Sequence, residues 1–129
     1  MVRATITTFG YVDGRAPEPA DITLDIRRHV LDTHQIPAAE TRTGLDPVIA
    51  DTVLSASGVA RIVDNLALMA AGILDDVADA RARLVKIAVG DHRGVHWAVA
   101  IGEDVARVLR MNGVDTEVIH REIAGPSAS

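Results

Sequence analysis

Leu84-Val85-Lys86-Ile87-Ala88-Val89 runs into Gly90-Asp91-His92-Arg93-Gly94 and then into Val95-His96-Trp97-Ala98. The first stretch is nearly continuous in aliphatic residues and has the length of a strand. It reads as a central strand covered on both faces. The second stretch carries two glycines and reads as a tight loop. From Val95 the period changes: Ala98, Ile101, Val105, Val108 and Leu109 recur at helical spacing. Asn112-Gly113 ends that helix, with Gly113 suited to a left-handed backbone. Val114 to Arg121 then reads as another strand. A strand, a helix and a strand in this order form a crossover unit, so the two strands should be parallel.

Upstream, Val2, Ala4, Ile6 and Thr8 alternate with Arg3, Thr5 and Thr7, which is the period of a strand. Gly10 to Ala20 holds Gly14, Pro17 and Pro19 and reads as a loop. Ile22-Thr23-Leu24-Asp25-Ile26 is a second strand, and Arg27 to Arg42 is a long polar connection of the kind that often carries function. Asp46-Pro47 starts a short helix to Leu54, with Asp46 as its cap. Ser57 is placed to cap the next helix. Its buried face is expected to be Val59, Ile62, Val63, Leu66, Met69, Ala70, Ile73 and Leu74. The expected fold is α/β: a single small domain, residues 1–124, with a mixed sheet and helices packed on it. Residues 125–129 are expected to be a flexible tail.

Composition narrows the function classes. The chain has 129 residues, 48% of them hydrophobic, enough for one core. It has no cysteine, which excludes disulfides, thiolate metal sites and cysteine nucleophiles. Its formal net charge is −5, against the basic balance of most nucleic-acid binders. No apolar run is long enough to span a bilayer, and the N-terminus lacks a signal-peptide pattern, so a cytoplasmic protein without a membrane partner is expected.

The loop after the central strand is the candidate binding site. Ligands of open α/β sheets sit beyond the carboxyl ends of strands, and a helix N-terminus offers free amides to an anion. Gly90 and Gly94 allow close approach, while His92, Arg93 and His96 can donate to an anion. Asp91 opposes an anion by repulsion, and Trp97 reads as core or pocket wall. A second reading takes Asp91, His92 and His96 as metal ligands. His29 and His34 lie in the long connection. No P-loop, nucleophile elbow or assembled catalytic triad is present, so the chain reads as non-enzymatic and without a cofactor.

These residues also carry a family likeness. Thr8-Phe9-Gly10-Tyr11, Gly14, Ala20-Asp21 and Asp25-Ile26-Arg27, followed by Thr43-Gly44-Leu45-Asp46, resemble the C-terminal domain of the RNase adapter protein RapZ family. That family opens with Ser-Phe-Gly-Tyr-Lys, continues through Ala-Asp and Asp-Val-Arg, and shares Thr-Gly-Leu-Asp. Here Val12 replaces the Lys and one residue is inserted in the first loop. His34 falls where the family has a His. Ile87 to Val99 lies against the family's strand and its Gly-Cys-Thr-Gly-Gly-x-His-Arg-Ser-Val loop. Gly90, Gly94, His96 and Val99 are kept. Asp91 stands for the Cys, His92 for the Thr, Arg93 for a Gly, Trp97 for the Arg and Ala98 for the Ser.

The resemblance implies an α/β domain whose loop binds a small phosphorylated or anionic metabolite, of the glucosamine 6-phosphate type. The expected ligand-binding residues are His34, Gly90, Asp91, His92, Arg93, Gly94, His96 and Trp97. It also implies RNA as a partner, a separate P-loop domain, and homo-oligomers. An RNA module would draw on Arg81, Arg83 and Lys86, or on Arg107 and Arg110.

Overall fold

The structure is a computed structural model, and it describes residues 1–12, 19–28, 41–75 and 84–123. The order of elements is β1 (Ala4–Gly10), β2 (Ile22–Asp25), α1 (Pro47–Leu54), α2 (Val59–Asp75), β3 (Val85–Asp91), α3 (Trp97–Met111) and β4 (Thr116–His120). His29, His34, Gly14, Pro17, Arg81, Arg83 and the expected tail at 125–129 lie outside the described residues.

The strands form one sheet in the order β2-β3-β1-β4. Every pairing is parallel: β1 with β3, β1 with β4, and β2 with β3. The expected mixed sheet is therefore corrected to an all-parallel one. No two strands that follow each other in sequence are joined by a hairpin. From β1 the chain passes β3 to reach β2, and from β3 it passes β1 to reach β4.

The register sorts the strands into two faces. Ala4, Ile6 and Thr8 stand beside Val85, Ile87 and Val89 on one side and Thr116, Val118 and His120 on the other. On this face α3 packs across β1, β3 and β4, while α2 packs on β3 and on α3. Aliphatic side chains from both layers make the core: Ile6, Ile87, Val89, Val99, Ile101, Val105 and Leu109 are all buried. No described helix lies on the opposite face. There Pro19 and Ala20 border a shallow pocket of about 220 Å³ with Thr5, Thr7, Lys86, Ala88 and Ile119. The crossover from β3 to β4 thus runs over one face through α3, while Pro19 and Ala20, which lead into β2, lie on the other, the arrangement the right-handed crossover rule favours.

Local chemistry explains most helix ends. The Asp46 carboxylate accepts from the Val48 amide at 2.9 Å, with Pro47 in the first turn of α1. Ser57 does not cap α2. That helix begins at Val59, and the Gly58 carbonyl accepts the first helical bond from Ile62 at 3.0 Å. Met69, expected in the core, is 55% exposed, and Leu68 beside it is 70% exposed. No single helix among the described residues is long and apolar enough to cross a membrane; α1 and α2 would be so only together, and they bend by 88°.

Candidate functional site

The reversal of direction falls between β1 and β3. From β1 the strand order runs one way along the sheet and from β3 it runs the other. At such a switch point open parallel sheets hold ligands at the carboxyl ends of their strands, and this is the candidate crevice. Its floor is the pairing of Phe9 with Gly90 and Gly10 with Asp91.

The floor is tight. A Cβ on Gly10 would lie 2.4 Å from the Arg93 carbonyl, so the loop after β3 crosses the end of β1 in backbone contact. Gly94 takes φ 72° at this crossing, a left-handed conformation that glycine adopts without strain. The Gly10 amide donates to Glu122 Oε2 at 3.0 Å, and the Tyr11 amide to the Asp91 carbonyl at 3.0 Å.

Asp91 has a role that the sequence did not suggest. Its strand runs on to include it, and its carboxylate turns back under the loop. Oδ1 accepts from the amides of Arg93, at 3.0 Å, and of Gly94; Oδ2 accepts from Ala98, in the first turn of α3, at 3.0 Å. The side chain is buried. The amides expected to greet an anion therefore already hold one, supplied by the chain. It also caps α3, which His96 at the cap position does not: no side-chain cap bond forms there. The helix starts at Trp97, two residues later than the sequence period suggests.

His96 is buried, and its Nε2 lies 2.8 Å from the Arg42 carbonyl. A carbonyl only accepts, so Nε2 carries the proton. This bond pins the Thr43-Gly44-Leu45-Asp46 segment to the loop, helped by the Gly44 amide on the Val95 carbonyl at 2.8 Å. A Cβ on Gly44 would come within 2.4 Å of the His96 carbonyl, which is why a glycine stands there. Trp97 is 3% exposed and its indole Nε1–H has no acceptor among the described residues.

His92 and Arg93, by contrast, are exposed on the rim. Across the crevice, Arg27 stacks over the Tyr11 ring at 3.5 Å, and Tyr11 meets Phe9 edge-on with ring centres 4.9 Å apart. Arg27 also grips Asp25 at 2.7 Å. That hydrogen bond holds the Asp25 carboxyl below the usual carboxylate range, against partial burial, and the nearby His92 adds to the lowering. Burial and the Asp25 charge push the Tyr11 hydroxyl up. Tyr11, Asp25 and Arg27 were read only as parts of a motif, since nothing in sequence spacing shows that β2 ends beside β3.

The metal reading is corrected. Asp91, His92 and His96 do not converge: both oxygens of the first and one nitrogen of the last are engaged by backbone groups, and His92 faces outward. Among the described residues no group of three or more metal-ligating side chains forms. Of the basic residues considered for RNA, Arg81 and Arg83 lie outside the described residues. Lys86 belongs to the open face of the sheet, whereas Arg107 on α3 pairs with Asp104 at 2.6 Å, and Arg110 donates to the Thr116 carbonyl at 2.8 Å.

A second buried polar chain lies beside the crevice. Thr8 Oγ1 and His120 Nδ1 are 2.6 Å apart, and His120 Nε2 is 2.7 Å from Glu103 Oε2. Thr8 is fully buried, so this hydroxyl–imidazole–carboxylate series ties β1, β4 and α3 together and offers no reachable nucleophile.

The model of the RapZ C-terminal domain matches residues 2–124. The chain belongs to the RapZ C-terminal domain family. Among its curated relatives, a nucleotide-binding protein of Streptomyces coelicolor is 34% identical over 126 residues, covering 95% of this chain and 40% of its own length. Nucleotide-binding proteins of Thermobifida fusca and Frankia casuarinae are 31% and 32% identical, each over 95% of this chain. The chain spans about two fifths of the length of these relatives.

Proposed function

We propose that this RapZ C-terminal-like domain is a non-enzymatic ligand-binding domain that takes a small phosphorylated or otherwise anionic metabolite at the crevice between β1 and β3. The observation that carries the reading is the reversal of strand order there, with His92 and Arg93 exposed on one rim. The Asp91 carboxylate directs how an anion would be held. It fills the buried amides, so the guest meets side chains at the rim, with Arg93 supplying the charge. The indole N–H of Trp97, at the start of α3, has no acceptor among the described residues and is a further donor beside the loop. The names of the relatives, as nucleotide-binding proteins, support small-ligand binding in general terms.

The test is thermal unfolding against sugar phosphates, nucleotides and inorganic phosphate. A ligand at about a hundred times its dissociation constant adds ~2.7 kcal/mol to the folded state. One phosphorylated compound should raise the midpoint, and the H92A/R93A double variant should lose that rise. No shift with any compound, or a shift that survives the double variant, would overturn the assignment.

A further inference from the structure

Among the described residues, the carboxylates of Asp91 and Glu122 reach the floor of the crevice, and they are held in different ways. Asp91 is buried and belongs to β3 itself, and the amides of Arg93, Gly94 and Ala98 fix it in place. Glu122 comes from beyond the sheet. The last register pair of β1 and β4 is Thr8 with His120, and the Arg121 amide closes that ladder on the Thr8 carbonyl at 3.0 Å. The next amide of β1 on the same side belongs to Gly10, and β4 ends before reaching it. A side chain takes the place of the missing strand: Glu122 Oε2 accepts from the Gly10 amide at 3.0 Å.

The position is a crossing. A Cβ on Gly94 would lie 2.5 Å from the Gly10 nitrogen and 2.7 Å from Glu122 Cγ, so the loop that carries Arg93 rests on both. Glu122 is half-buried rather than sealed, and it stands past the end of β4, where its side chain can swing out without breaking a strand. A backbone amide left over at the end of a sheet is a natural donor to an anion. A neutral carbonyl would satisfy it equally well. A carboxylate does so with a full charge, and sets that charge beside the rim where Arg93 stands.

We propose that Glu122 is an internal stand-in for the ligand's anionic group: it occupies the Gly10 amide in the empty domain and is displaced when an anion enters. The inference rests on the anionic-ligand reading above and adds the regulation of that site. A guest must bring enough further contacts to evict the carboxylate, so the crevice stays closed to simple anions at low concentration.

The probe is inorganic phosphate, titrated calorimetrically and followed at the Gly10 amide by NMR. E122Q keeps an acceptor and removes the charge, so its unfolding midpoint should stay near that of the parent. It should bind phosphate roughly three- to tenfold more tightly, the effect of one unit charge at close range in a partly solvated site. E122A empties the amide and should bind at least as tightly as E122Q. In both variants the Gly10 amide resonance should move on saturation. Glu117→Gln removes an equal charge from the exposed first half of β4 and should leave the affinity unchanged. Equal affinities of the parent, E122Q and E122A would overturn the inference and leave the anion site itself standing. A gain matched by E117Q would reduce the effect to net charge and overturn it as well. A Gly10 resonance that stays still at saturation would do the same. So would the absence of phosphate binding in all three proteins, whatever larger phosphorylated compounds do to the parent. A gain in E122Q that survives H92A/R93A would keep the stand-in and move the ligand off the rim.

Discussion

Replacing Asp91 by Asn tests whether the chain's own carboxylate organises the candidate site. The native carboxylate accepts from three backbone amides, those of Arg93, Gly94 and Ala98. An Asn of the same shape keeps one acceptor oxygen and turns an NH2 toward the remaining amide. One charge-assisted bond is lost, worth about 1.5–3 kcal/mol, and the others fall to neutral strength. The α3 N-terminus also loses its negative charge, about 1 kcal/mol more. The sum is roughly 3–4 kcal/mol out of a total stability of order 5–15 kcal/mol. A loss of that size lowers the thermal midpoint by roughly 10–15 °C in a domain of this length. Equilibrium urea unfolding and a thermal scan measure it. A loss below about 1 kcal/mol, the worth of an ordinary surface contact, would refute the reasoning. Asp91→Ala supplies the complementary arm. With the tethered carboxylate gone, its amides become an open anion site, and inorganic phosphate should raise the midpoint of D91A by more than it raises that of the parent. Equal shifts would refute the claim that Asp91 occupies an anion-binding nest.

Gly44→Ala should destabilise the domain by roughly 2–3 kcal/mol or more, because its methyl meets backbone atoms that cannot move aside; an unfolding midpoint within a degree of the parent would contradict the packing described at Val95 and His96. Glu103 gives a pH prediction. The hydrogen bond from His120 holds its carboxyl below the ordinary 4.5, against partial burial, with the charges of His120 and Arg110 adding to the effect. A lowered carboxylate stabilises the fold above its ordinary value and ceases to do so as pH falls through the lowered one. Between those two points the parent should lose stability faster than Glu103→Gln; identical slopes of unfolding free energy against pH would count against the Glu103–His120 contact.

The strands and helices were legible because each has a clean period. The apolar run at 84–89 and the helical spacing after Val95 are local signals, and so is the Asp46-Pro47 start of α1. The parallel arrangement of the whole sheet was not, because strand order is decided by which crossovers pack, and β1 and β2 are not neighbours in the sheet. The position of the candidate loop followed from its place between β3 and α3. The role of Asp91 did not. A carboxylate that caps a helix from seven residues upstream leaves no spacing rule, and it is the curl of the loop through Gly94 that brings it there. His96 read as a donor for ligand for the same reason: its partner, the Arg42 carbonyl, belongs to a distant segment. Met69 followed the apolar period of α2 faithfully, yet the period is broader than the core it has to cover.

The strand order has a consequence for how the chain acquires its shape. In the register of the described residues, β1 finds both its neighbours, β3 and β4, in the second half of the chain, and β2 finds its neighbour there too. During synthesis, the first two strands emerge with nothing to pair with until β3 has left the ribosome. β3 is then the expected nucleus of the sheet, since it pairs with β2 on one side and β1 on the other. Closing such distant pairings costs loop entropy before any contact repays it, so refolding should be slow for a domain this small, in the millisecond-to-second range of non-local topologies. Mutations that weaken β3 should slow folding, and those confined to β4 should chiefly hasten unfolding.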